Sequence, residues 1–170
     1  MQRTLRDELE TRLLGRALAG TLTSSVPCTI LLQGSLGAGK TTLVRGLVES
    51  LPGGDESEIS SPSFNIFNVY PTTPEVVHFD LYRTVDSITA ENLSGYFADP
   101  IYLVLVEWVD NLPADYWPES YILVHLDFAE QGRIASIRGR AQKASQIIKK
   151  TGQLLDTLVR TERPDPSQGE

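Results

Sequence analysis

Eight consecutive residues, Gly34-Ser35-Leu36-Gly37-Ala38-Gly39-Lys40-Thr41, carry the densest chemical signal in this 170-residue chain. Their order fits G-x-x-x-x-G-K-[ST], a pattern whose residue types suit one task, the holding of a phosphate chain. Gly34, Gly37 and Gly39 let the backbone curl so that successive N–H groups point inward at phosphate oxygens, and the helix that follows adds its positive end. Lys40 would reach β- and γ-phosphates, while the Thr41 hydroxyl would ligate Mg²⁺. With Thr42, the stretch Gly37, Ala38, Gly39, Lys40, Thr41, Thr42 is the expected nucleotide-binding segment.

A magnesium site of this kind also needs a carboxylate at the C-terminal end of a neighbouring apolar strand. Three residues qualify: Asp80 after Val76-Val77-His78-Phe79, Glu107 after Leu103-Val104-Leu105-Val106, and Asp127 after Ile122-Leu123-Val124-His125-Leu126. Pattern favours Glu107, whose run is longest and least interrupted, and a surface or turn role suits Asp127. Asp80 would orient or deprotonate an attacking water, or hold a metal-bound one. No [NT]-K-x-D sequence for guanine is present, which points to ATP. Trp108 is expected to pack in the core beside Glu107, with guarding the nucleotide as the alternative, and His78 and His125 read as structural imidazoles. Arg83 reads as a salt-bridge former on a sheet edge, with γ-phosphate stabilisation as its alternative role.

The surrounding periodicities supply elements to position these groups. Leu5, Leu9, Leu13, Leu14, Ala17 and Leu18 recur at helical spacing over residues 4–20, with Thr4 and Asp7 placed like a capping box. Residues 28–33 read as a buried strand that runs into the glycines, and Leu43, Val44, Leu47 and Val48 mark a helix over 40–51. Residues 52–61 form an acidic, punctuated loop. Two β-rich runs around 64–70 and 76–82 suggest a hairpin across Pro71-Thr72-Thr73-Pro74. A short helix over 86–97 precedes a central strand at 101–106. Residues 121–126 and 134–137 read as a final hairpin around 129–132, and a helix with Ala144, Ile148, Leu155 and Val159 on one face follows. The expectation is an α/β three-layer P-loop NTPase fold with a mixed, mostly parallel central sheet. It occupies residues 1–160, ahead of a polar, disordered tail at 161–170.

Composition narrows the function classes. Hydrophobic residues make up 41% and charged residues 22%, a globular balance with no apolar run of bilayer length and no export signal, so a cytoplasmic protein is expected. A net charge of −7 disfavours a free-standing nucleic-acid binder. Only Gly132 to Lys150 dissents, with six cations and no carboxylate, a solvated face or else a docking surface. The single Cys28 permits no intrachain disulfide and reads as a core thiol.

Taken in order, these motifs resemble the TsaE (YjeE) ATPases, which take part in forming threonylcarbamoyladenosine in tRNA. The resemblance rests on Thr11-x-x-Leu14-Gly15-x-x-Leu18-Ala19, on Gly34 to Thr42, on Ser61-Pro62-Ser63-Phe64, on His78-Phe79-Asp80-Leu81-Tyr82-Arg83 and on Glu107-Trp108. It implies that Thr41 and Glu107 hold Mg²⁺, that Asp80 is needed for hydrolysis, that Thr11 lies by the base and that Arg133 lines the same pocket. It also implies TsaB and TsaD partners that stimulate a slow ATPase, with tRNA reached through the complex and the carbamoyl transfer left to TsaD. The chain departs from the family at Ser35, usually Asp, at Ser63, usually Thr, and at Asn65-Ile66-Phe67, usually richer in Thr and Val. Ser63 keeps the hydroxyl, whereas Ser35 removes a charge from the loop. Two other uses of the same motif are a small-molecule kinase and a nucleotide-dependent binding switch.

Overall fold

The computed structural model describes residues 1–22, 29–55, 57–62, 66–83, 85–140 and 144–163. Cys28, Ser63, Phe64, Lys143 and residues 164–170 lie outside the described residues, and so do the expectations placed on them.

Apolar runs that neither alternate nor break must be covered on both faces, and the centre of the sheet is built from them. Strand β2 (Thr29–Gln33) lies between β5 (Tyr102–Glu107) and β6 (Tyr121–Phe128), parallel to both. On the far side of β5, β4 (Glu75–Asp80) is also parallel, and the edge strand β3 (Phe67–Tyr70) is antiparallel to it. At the other end β7 (Arg133–Arg140) and β1 (Gln2–Leu5) are antiparallel, so the seven-stranded order is β1-β7-β6-β2-β5-β4-β3. This is the mixed, mostly parallel sheet that the sequence implies.

Successive residues of a strand point to opposite faces, so each run feeds two cores. Ile30 and Leu32 of β2 join one core with helices α1 (Glu8–Ala19), α2 (Lys40–Val48) and α4 (Ala144–Glu162). Leu31, between them, faces α3 (Ser87–Ala98) together with Phe79, Val104 and Val106. Burying each such Leu contributes about 1.5–3 kcal/mol, enough to fix the strand registers that aim the site.

Two boundaries differ from expectation. The first helix begins at Glu8, because Gln2–Leu5 pairs with β7 (Gln2↔Ser136 to Leu5↔Arg133) and ladder hydrogen bonds replace the helical ones. Asp7 alone caps it, accepting from the Glu10 N–H at 3.1 Å, while Glu10 turns back to the Arg6 N–H at 2.8 Å. Thr4 takes no part in that cap. At the other end α4 continues through Thr161 and Glu162, held to α1 by Arg16–Glu162 (3.5 Å) and Arg163–Asp7. The final hairpin is also longer than its apolar cores, since the β6–β7 ladder runs out to Phe128↔Arg133 and Tyr121↔Arg140.

Candidate nucleotide site

Between β2 and α2 the chain makes a tight loop that only glycine accommodates at its turning points. Gly34, Gly37 and Gly39 adopt φ of 135°, 77° and 105°, and a Cβ on Gly34 would fall 2.2 Å from the Leu126 carbonyl oxygen of β6. Gly39 caps α2 without a side-chain hydrogen bond, leaving the first amides of the helix facing the loop.

Lys40, the first residue of α2, is 4% exposed and folds back over the loop. Its Nζ donates to the carbonyls of Gly34 (2.7 Å) and Ser35 (3.0 Å) and sits 3.7 Å above the Trp108 ring. Burial lowers the ammonium's pKa from its ordinary 10.5, while Glu107, Asp80 and Asp110 pull it back up. Trp108 bears this contact from a left-handed backbone, φ 60°, the one non-glycine residue with positive φ among the described residues. Such a conformation costs on the order of 1–3 kcal/mol and clusters at functional sites. Its ring is half-buried against the α3-side core and also lines the cavity, tilted 57° against Tyr82 with the ring centroids 4.9 Å apart. The expected core position thus holds for one face of the ring only.

Glu107 ends β5 and is 2% exposed, in register with Leu32 of β2 and Asp80 of β4. The Thr41 hydroxyl donates to its Oε1 at 2.8 Å and lies 3.1 Å from Oε2, so the hydroxyl and carboxylate that the sequence pairs for a metal are in contact. Asp80 faces the same space, accepting from the Ser61 hydroxyl and, at 3.0 Å, from the Tyr82 N–H. The cavity is about 500 Å³ and is lined by Lys40, Thr41, Thr42, Ser61, Asp80 and Glu107 among others, with Arg83 exposed at its margin. That arrangement has a cation, a hydroxyl, two carboxylates and a glycine cradle converging, which suits a phosphate chain with a hard divalent ion.

Thr11 and Arg133 come to the loop from its other side. Thr11 is fully buried on α1, and a Cβ on Gly39 would meet its Cγ2 at 3.3 Å and the Arg133 Nε at 3.1 Å. Arg133 donates from Nη2 to the Gly37 carbonyl at 3.3 Å, while its Nε is buried without a hydrogen-bond partner. The two residues touch the P-loop yet do not line the 500 Å³ cavity. Asp127 is exposed and accepts from the Phe128 N–H at 2.9 Å, away from the cavity, and His125 is exposed rather than enclosed by its apolar run. Sequence reasoning overlooked Tyr70 and the contact of His78 with Glu107. The sequence signals only that His78, two residues before Asp80, shares its face of β4; the meeting with Glu107 follows from the pairing of β4 with β5.

Comparison with known proteins comes from three directions. The sequence matches, over residues 5–135, the family described as "Threonylcarbamoyl adenosine biosynthesis protein TsaE". It is 38% identical over 133 residues to the tRNA threonylcarbamoyladenosine biosynthesis protein TsaE of Nostoc sp., covering 75% of this chain and 78% of that one. The protein of the same name from Rickettsia felis is 32% identical over 145 residues, covering 84% and 82%. That from Haemophilus influenzae is 31% identical over 122 residues, covering 70% and 75%. In fold the chain is similar to the crystal structure of Bacillus subtilis YdiB, with a TM-score of 0.69 at 21% identity over 90% of this chain and 94% of the other.

Proposed function

The chain belongs to the TsaE family of threonylcarbamoyl adenosine biosynthesis proteins, and from that premise we propose that it is a Mg²⁺-dependent ATPase serving threonylcarbamoyladenosine modification of tRNA in the cytoplasm. The observation that carries the reading is the 2.8 Å contact between the Thr41 hydroxyl and the Glu107 carboxylate beside a buried P-loop lysine. ATP rather than GTP fits the missing guanine-reading sequence.

In this reading the amides of residues 37–42 and the Lys40 ammonium bind the β- and γ-phosphates. Lys40 gives up the carbonyls of Gly34 and Ser35 for phosphate oxygens, a stronger, charge-assisted exchange. Mg²⁺ would be held by Thr41 and Glu107, and when bound it neutralises charge on the phosphates. Asp80 accepts a hydrogen bond from the attacking water and orients it toward the γ-phosphorus. The bond from that phosphorus to the bridging oxygen breaks as the water oxygen bonds to it, and the water gives up a proton to the phosphate product and solvent, leaving ADP and inorganic phosphate. Thr11 and Arg133 hold the flank of the loop where the base would lie. TsaB- and TsaD-type partners complete the machine, and a group supplied in trans can raise such a rate by ~10³ to 10⁵.

Phosphate release from ATP, measured with the protein alone and with purified TsaB and TsaD, tests this. Slow turnover that rises on adding both partners is expected. Absence of stimulation across micromolar partner concentrations, or transfer of the γ-phosphate to a small acceptor, would overturn it.

A further inference from the structure

His78 is fully buried, so its two ring nitrogens need partners from the protein. Nε2 lies 3.0 Å from Oε1 of Glu107, and Nδ1 lies 3.5 Å from the Tyr70 hydroxyl. The proton positions follow from what each neighbour can do. An ionised Glu107 only accepts, which requires a proton on Nε2, and a neutral ring can then accept the Tyr70 proton at Nδ1. The Tyr70 hydroxyl has one proton, so with that proton on Nδ1 its 3.2 Å approach to the Ser60 carbonyl is no hydrogen bond, and Asn68 Nδ2 links the two, donating to the Ser60 carbonyl at 3.2 Å and to the Tyr70 oxygen at 3.5 Å. Ser61, the next residue, donates to Asp80. A hydrogen-bonded line through Asn68, Tyr70 and His78, buried at its His78 end and open at Ser60, therefore joins the segment before Pro62 to Glu107.

We propose that His78 is a positioning residue for Glu107, held in its donor form by Tyr70, and that this line ties the carboxylate to the segment bearing Ser60 and Ser61. The proposal rests on the reading of Glu107 as a Mg²⁺ ligand. Its physical content is that Oε1 is committed to His78 and Thr41, whereas Oε2 contacts Thr41 alone at 3.1 Å among the described residues. The carboxylate cannot rotate freely about its last bond without losing the His78 hydrogen bond. Partners of this kind around a metal-binding group typically change metal affinity 10–100-fold when removed.

Calorimetric titration of ADP into the full chain, with and without MgCl₂, separates the Mg²⁺-dependent part of the affinity from the rest. His78→Leu should lose about tenfold or more of the Mg²⁺-dependent gain and leave Mg²⁺-free ADP affinity unchanged. His78→Gln, whose amide can still donate, should recover much of it, and Tyr70→Phe should fall between the two. Thermal unfolding shows which variants fold; if His78→Leu does not, the other two decide. Nitrogen-15 spectra of the two histidines, with His125→Gln for assignment, should show a proton on His78 Nε2. An Nε2 without a proton, or a Mg²⁺ gain that survives in these variants, would overturn the proposal alone. A wild-type protein without any Mg²⁺ gain would overturn the metal reading of the site and this proposal with it.

Discussion

A methyl group added to Gly46, midway along α2, tests how the helices that carry the site are held together. The new Cβ would lie 2.1 Å from the carbonyl oxygen of Arg12 on α1 and 2.7 Å from that residue's Cα and carbonyl carbon, all backbone atoms that no rotamer change can move. The crossing is close from both sides, since a Cβ on Gly15 would lie 2.2 Å from the Leu43 carbonyl oxygen. Relieving a contact about 1 Å too short means separating α1 from α2, and forced overpacking of this kind costs about 1–3 kcal/mol or more. Helix propensity returns ~1 kcal/mol on replacing Gly by Ala. Taking the upper end of the clash, Gly46→Ala should lose about 2 kcal/mol, which lowers Tm by roughly 4–8 °C in a chain of this size. Gly95→Ala is the control, because Gly95 lies exposed in α3 and its Cβ would meet nothing within 4 Å. There only the propensity gain survives, so Tm should rise by about 2–4 °C. ADP affinity should fall in Gly46→Ala, whose crossing positions Thr11 against Gly39, and stay unchanged in Gly95→Ala. Thermal and urea unfolding followed by circular dichroism give both values. A Gly46→Ala protein that melts at or above wild type would refute the close crossing and the magnitude built on it.

Lys40→Ala should weaken ATP binding about 10- to 100-fold, since a charge-assisted hydrogen bond is worth about 1.5–3 kcal/mol. In a Trp117→Phe background the emission of Trp108 should change when ATP draws the ammonium off its ring, and this change should vanish in Lys40→Ala. For pH dependence, the hydrogen bonds that Thr89 donates lower the pKa of Asp86, the N-cap of α3, below its ordinary 3.8. A depressed carboxylate stabilises the fold above that ordinary value and loses its contribution as pH falls through the lowered folded value. Asp86→Ala should therefore lower Tm at neutral pH, whereas Asp86→Asn should keep the cap and flatten this acid limb of a Tm-against-pH profile.

The P-loop was legible because everything that defines it is contiguous: an apolar strand, glycines that must take positive φ, a lysine and a helix period follow one another within residues 29–48. Glu107 was legible for a related reason, as the longest apolar run is the one that takes the place beside β2, and its last residue then falls at the loop. The first strand was not. Thr4 and Leu5 fit the start of a helical spacing, and only the pairing of residues 2–5 with Ser136 to Arg133, far along the chain, makes them extended.

Residue types and short-range spacing were enough for the glycine-rich loop, the α/β class and the order of most elements, because propensity, turn geometry and hydrophobic period act over a few residues. Tertiary structure alone decided that β2 inserts between β5 and β6, that Thr11 and Arg133 converge on Gly39 from opposite ends of the chain, and that His78 meets Glu107. Those outcomes depend on which distant backbone offers its hydrogen bonds and which buried polar groups must find one another, and a linear sequence carries no measure of that proximity.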